Sequence, residues 1–185
     1  MENIIPPVDR ALLLKELTEH KLIRKTNAGN NLIYICNHFN APNVTREIGR
    51  LREITFRDAG GGTGLSVDLD YYDTCENPFE QLIVWNPDDQ EIVGGYRYLH
   101  CKLLKKDADG TYHTPTFKLF KYSQKFVDEY LPYPIELGRS FVQPAYQPTN
   151  NIRKGMYSLD NIWDGLGAII LIHPDAKYYF GKITM

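Results

Sequence analysis

The chain has 185 residues, 43% of them hydrophobic and 24% charged, with a net charge of −2 from 21 basic and 23 acidic side chains. That length is enough for one domain with a real core, and the near-balanced charge gives no electrostatic case for a nucleic-acid partner. Cys36, Cys75 and Cys101 are odd in number, far apart and without CxxC spacing, so no disulfide framework and no metal site is indicated, and a reducing, cytoplasmic setting is expected. The first residues, Met-Glu-Asn-Ile-Ile-Pro-Pro, lack the basic start and apolar core of a signal peptide. The longest apolar run, around residues 165–172, is too short to span a bilayer. A peripheral membrane contact is compatible with these features.

In chain order, residues 8–22 read as a short helix with Leu12, Leu13, Leu17 and Leu22 on one side, and residues 32–36 as a strand. Residues 43–58 read as a better helix. Asn43 or Thr45 could cap it, and Val44, Ile48, Leu51 and Thr55 would face the core. Arg52 and Phe56, four apart, lie one above the other beside that stripe. The glycine cluster at residues 60–64 follows a helix rather than opening one and has no GK[ST], so it reads as a mobile loop rather than a phosphate cradle. Asp68, Asp70 and Asp73 then fall within six positions. They lack the Gly and Glu of a calcium loop, which leaves a solvated loop or an anionic site for an amine.

Residues 81–85 and 91–100 flank Asn86-Pro-Asp-Asp-Gln90, a hairpin signal, with Gly94 and Gly95 marking a bulge or a close backbone approach. Arg97 lies among apolar neighbours in the second strand. Ser123 could cap a short helix carrying Phe126, Val127 and Tyr130. Residues 143–156 are polar and irregular. Residues 158–173 read as an amphipathic helix with Ile162, Leu166, Ile169 and Ile170 inward and Trp163 beside them. Residues 177–185 read as a strand with no closing turn, so a C-terminal portion is expected to be missing.

The most informative run is Pro134-Ile-Glu-Leu-Gly-Arg-Ser-Phe-Val-Gln143, a buried-strand pattern that contains Glu136 and Arg139. Burying a carboxylate and a guanidinium costs heavily unless each has a partner. Two readings stand: a structural ion pair, or a catalytic carboxylate held by an arginine.

Four motifs follow in order: Arg52 with Phe56, Asp70-Tyr-Tyr-Asp73, Gly95-Tyr-Arg97 and Glu136-Leu-Gly-Arg139. Together they resemble the branch of the GNAT superfamily that transfers long acyl chains: the ornithine-lipid and N-acyl amino acid acyltransferases, sometimes labelled hemolysin-like, with the acyl-homoserine-lactone synthases as relatives. The resemblance runs from about Arg46 to the end of the chain. It implies an α/β fold of the α+β type, a mixed and mostly antiparallel sheet flanked by helices. Residues 1–40 would supply an N-terminal helix and strand, and residues 41–185 the acyltransferase domain.

The resemblance also implies that the charged strand splays from its neighbour to take the acyl-pantetheine arm. The donor is an acyl carrier protein thioester, a co-substrate, with no cofactor. Residues 143–155 hold one glycine and two prolines, a poor pyrophosphate cradle. Arg153 or Lys154 could instead meet the single phosphate of phosphopantetheine, or be an exposed basic loop. Amide formation needs a base for the acceptor amine, for which a desolvated Glu136 is suited. Arg139 would pull the other way, and Glu136 could alternatively orient Arg52 or Arg97. Backbone N–H groups near Phe141 or Val142 would hold the developing oxyanion. Asp70 and Asp73 could hold an acceptor amine, while Arg52, Arg97 and Arg139 could hold its carboxylate; such a set fits an amino acid of the glycine or ornithine type. Alternatively, the charges only neutralise one another. A homoserine-lactone synthase and a non-catalytic carrier- or lipid-binding module are the competing functions.

Overall fold

The computed structural model describes residues 1–108 and 110–182. One sheet of six strands runs in sequence order: β1 (Leu22–Lys25), β2 (Leu32–Cys36), β3 (Glu80–Asn86), β4 (Glu91–His100), β5 (Pro134–Val142) and β6 (Tyr178–Gly181). Neighbours are antiparallel except β6, which runs parallel to β5. The helices are α1 (Arg10–Glu16), α2 (Pro42–Asp58), α3 (Tyr71–Thr74), α4 (Ile152–Gly155) and α5 (Ser158–Ile172). This is the mixed, mostly antiparallel α/β sheet expected from the sequence. Residues 1–40 supply α1 and two strands, β1 and β2, of that same sheet.

Alternation in the strands makes two cores. On one face Ile83, Trp85, Ile92 and Phe141 pack under Val44, Ile48 and Leu51 of α2. On the other, Ile33, Leu82, Tyr96, Tyr98 and Ile135 pack under Ala168 and Ile169 of α5. Gly165 lets α5 sit close, since a Cβ there would lie 2.6 Å from the Tyr96 hydroxyl. The β3–β4 hairpin closes where Asn86 Oδ1 accepts from the amides of Asp88 and Asp89. Gly94 and Gly95 mark close backbone approach: a Cβ would lie 2.4 Å from the Phe141 carbonyl oxygen at the first and 2.2 Å from that of Leu82 at the second.

Several local expectations change. The helix expected over 8–22 is only α1 plus a 3₁₀ turn at Glu19–Lys21, and Leu12 faces solvent while Leu13 and Leu17 are buried. Neither Asn43 nor Thr45 caps α2. The Glu16 carboxylate, from α1, accepts from the amides of Asn43 and Val44 at 3.2 and 2.9 Å, a tertiary cap that local spacing does not show. Thr55 is only half-buried, its hydroxyl spent on the Leu51 carbonyl. The glycine loop is tied down by Glu53, whose carboxylate accepts from the Thr63 amide and hydroxyl and the Gly64 amide. The segment after Ser123 forms a π-helical turn, Phe126–Tyr130. In α5, Ile170 is half-exposed and Trp163 is 75% exposed, because the helix is apolar on its outer side as well. Of the strand expected over 177–185, β6 covers Tyr178–Gly181; residues 183–185 lie outside the described residues.

Candidate active site

The strand β5 organises the site. Its N-terminal half pairs with β6 from Pro134–Tyr178 to Leu137–Gly181 and no further among the described residues. Across β4, Arg97 pairs with Gly138 but Gly95 with Phe141, so β5 carries one extra residue there. Arg139 sits on that bulge at φ 56°, a left-handed backbone for a non-glycine residue. The bulge changes the pairing with β4 at Gly138–Phe141, while on the β6 side the pairing of β5 is described only as far as Leu137.

The bulge separates Glu136 from Arg139, so the two are not a pair. Arg139 turns toward Asp68 at 3.3 Å and Asp70 at 3.7 Å, and lies 6.0 Å over the Phe56 ring. Glu136 is buried on the α2 face, and its Oε1 accepts from the Thr116 amide at 3.1 Å. Oε2 is buried with no partner. Burial pushes its carboxyl above the ordinary glutamate value, against the Thr114 and Thr116 hydrogen bonds and a weaker pull from Arg97, not Arg139. Cys101 stands close by. Its thiol is pushed up to about 12, by burial first and the Glu136 charge next, so it is no nucleophile at neutral pH.

Beside Glu136 lies a cluster of three arginines and three aspartates. Arg52 is fully buried, with Nε donating to the Asp68 carbonyl at 3.1 Å and its Nη groups to Asp73 at 2.7 and 3.2 Å. Nη2 also donates to the Asp68 carbonyl. It thus parts from Phe56, which packs into the core beneath Arg139. Arg97, buried against Tyr72 and Phe79, donates to Asp70 at 2.6 and 2.9 Å and to Asp73 at 3.0 Å. Gln81 adds a bond to Asp73 at 2.9 Å. Burial raises the Asp73 carboxyl, but Arg52 and then Arg97 outweigh it and hold it well below the usual range. Asp73 therefore has no room for a substrate amine. It and Asp70 close a capping box on α3 rather than a solvated loop. Arg97 leaves its Nε unpartnered but buried, whereas Arg139, 30% exposed and with the longest contacts, is the one arginine of the three that solvent reaches.

Gln143 N donates to the Val93 carbonyl. By ladder alternation the Phe141 amide then also faces β4, and the Val142 amide faces away from β4, as does its carbonyl, which accepts from Gln147 Nε2 at 2.9 Å. Six residues separate Val142 from Glu136, about 20 Å at a strand's rise of roughly 3.3 Å per residue. Neither Phe141 nor Val142 can therefore share a reacting carbonyl with Glu136; the β5 residues beyond the described β6 pairing that lie near it are Gly138, Arg139 and Ser140. At the far end of β5, Lys154 is held by Asp89 at 2.7 Å and lies over Tyr146, while Arg153 is exposed. Sequence reasoning missed Thr114, Thr116 and Gln81 as site residues. Asp68 had a signal, being the first of the three clustered aspartates.

A mostly antiparallel sheet with a bulged β5, a parallel β6 beside it and helices on both faces fits one class. The chain belongs to the acetyltransferase (GNAT) domain family, whose model matches residues 51–155. Among curated proteins it is 58% identical over all 185 residues to a glycine N(alpha)-acyltransferase of Bacteroides thetaiotaomicron, and 52% identical over all 185 to one of Phocaeicola vulgatus. It spans 55% and 57% of the length of those relatives. No solved structure matches the chain.

Proposed function

We propose that the chain is part of an N-acyltransferase that joins a long, 3-hydroxyacyl-type chain, taken from an acyl carrier protein thioester, to the amine of glycine. The observation that carries this reading is the Glu136 carboxylate: buried, raised in pKa, one oxygen unpartnered, and two residues before the β5 bulge. A base in that state takes a proton from an ammonium or amine, directly or through one water. The neutral amine then attacks the thioester carbon, and the oxyanion is met by backbone amides of Gly138–Ser140. As the C–S bond breaks, the nitrogen gives its second proton to the departing pantetheine thiolate while Glu136 releases the first to solvent.

Arg139 holds the acceptor carboxylate, because Arg52 and Arg97 are buried with their terminal nitrogens already on aspartates while Arg139 is part-exposed. Asp70, part-exposed beside Arg139, steadies the incoming ammonium. Arg153, with Lys154 behind it, meets the phosphate of phosphopantetheine. The names of the two relatives support glycine over ornithine as acceptor.

The test is mass spectrometry of products from a 3-hydroxyacyl carrier protein and a panel of free amino acids. An N-acylglycine whose formation drops tenfold or more in Glu136→Gln is the expected result, in the range of general-base contributions. A product with another acceptor, or a homoserine lactone, would replace glycine. Carrier binding without any thiol release would replace catalysis.

A further inference from the structure

The long connection from β4 to β5 is not used by the chemistry above, apart from the Thr116 amide. It projects a tight turn at residues 114–120, in which the amides of Lys118, Leu119 and Phe120 donate back to the carbonyls of Thr114 and Thr116. Leu119 and Phe120 stand 58% and 57% exposed at its tip, side by side. Lys118 and Lys121 flank them, and Lys125 follows; all three are exposed. Residues 110–127 contain no acidic side chain, in a chain whose net charge is −2. Beside the turn, Lys118 lies 5.1 Å over the Tyr72 ring, and the neighbouring Tyr71 is 67% exposed. The first acidic residue beyond, Asp128, is bonded to Gln124.

We propose that this Lys118-Leu-Phe-Lys121 turn seats the protein on an anionic lipid surface. Leu119 and Phe120 enter the boundary between headgroups and acyl chains, Lys118, Lys121 and Lys125 pair with lipid phosphates, and Tyr71 lies at headgroup depth. Charge selects the occupant as anionic, and size selects a bilayer. A tip of two apolar side chains is far smaller than the roughly 800 Å² per partner of a stable protein interface, whereas a bilayer demands no matching shape. The turn is also wired to the site, since Thr116 at its base donates to Glu136. The inference is independent of the acyl-transfer reading.

The experiment is co-sedimentation of the chain with sucrose-loaded vesicles of phosphatidylcholine, with and without phosphatidylglycerol. Partitioning to the phosphatidylglycerol vesicles is expected, falling with added salt. It should drop about tenfold or more in Leu119→Ser/Phe120→Ser and in Lys118→Glu/Lys121→Glu, with unchanged melting temperature. Both pairs are exposed, so folding is not at risk. No binding by the unaltered chain, or equal binding by both variants, would overturn the proposal. So would variants that keep vesicle binding but lose affinity for an acidic carrier protein, which would make the turn a protein dock.

Discussion

Asp73 and Glu136 are two buried carboxylates a short distance apart, and their surroundings push them in opposite directions. Asp73 keeps its charge because two guanidiniums and an amide converge on it. Replacing it with Asn leaves buried Arg52 only the longer 3.5 Å contact to the Asp68 carboxylate, so Asp73→Asn should lose about 3–5 kcal/mol in urea unfolding. A loss below about 1 kcal/mol would show that Asp68 alone suffices to hold the Arg52 charge. Glu136 has no cation in hydrogen-bond reach, and burial dominates. In the proposed role of base it must be ionised, so kcat/KM should rise with pH along an acid limb centred above the ordinary 4.5, and that limb should vanish in Glu136→Gln. A limb that survives in the variant assigns the titration to another group. The sequence made Arg52, Arg97, Glu136 and the aspartates visible as charges in apolar company. Their pairing was not visible, because Arg52, Asp73 and Arg97 come from separate elements, and Arg139 turns to Asp68 and Asp70 on a left-handed backbone that an arginine does not announce as a glycine does.

At the scale of elements, the β3–β4 hairpin was fully legible: two apolar runs, a polar turn and two mid-strand glycines are all local signals. Gly95 is fixed by backbone on its neighbour, since a Cβ would lie 2.2 Å from the Leu82 carbonyl oxygen and 3.1 Å from the Ile83 Cα. Backbone cannot swing aside as a side chain can, so Gly95→Ala should cost on the order of 1–3 kcal/mol. Gly167 on α5 has nothing within 4 Å of its Cβ position, and Gly167→Ala should stabilise by about 0.5–1 kcal/mol through helix propensity alone. Thermal unfolding of the two alanine variants should therefore shift in opposite directions; a common direction would refute the close packing at Gly95. The helix itself was read with Ile170 inward because an apolar residue one position from a buried one fits the same stripe. In α5, Leu159, Trp163 and Leu171 make the outer side apolar too, so periodicity could not choose the face.

Across the whole molecule, ionised groups set opposing pH dependences. Asp73 lies below its ordinary value, and Glu53 is held down to about 2, where burial is outweighed by Thr63, Arg57 and Gly64. Their contribution is present above the unfolded values and is lost as pH falls through the folded ones. Asp68, Glu80 and Glu136 are raised, by burial first in each case. Their contribution is complete below the unfolded values, near 4 to 4.5, and is lost as pH rises through the folded ones. Burial alone raises Glu136; Thr114 and Thr116, which the β4–β5 connection brings to it, pull the other way, and both effects are long-range events with no local sequence mark. Glu136→Gln removes that one ionisation and keeps the shape. Relative to the parent chain, the variant should therefore gain stability as pH climbs from about 4.5 and level off above the folded Glu136 value, when both are followed by denaturant unfolding at several pH values. A stability difference that stays constant with pH would mean that Glu136 ionises in the folded protein as it does in the unfolded chain, and would remove the desolvated base on which the acyl-transfer reading stands.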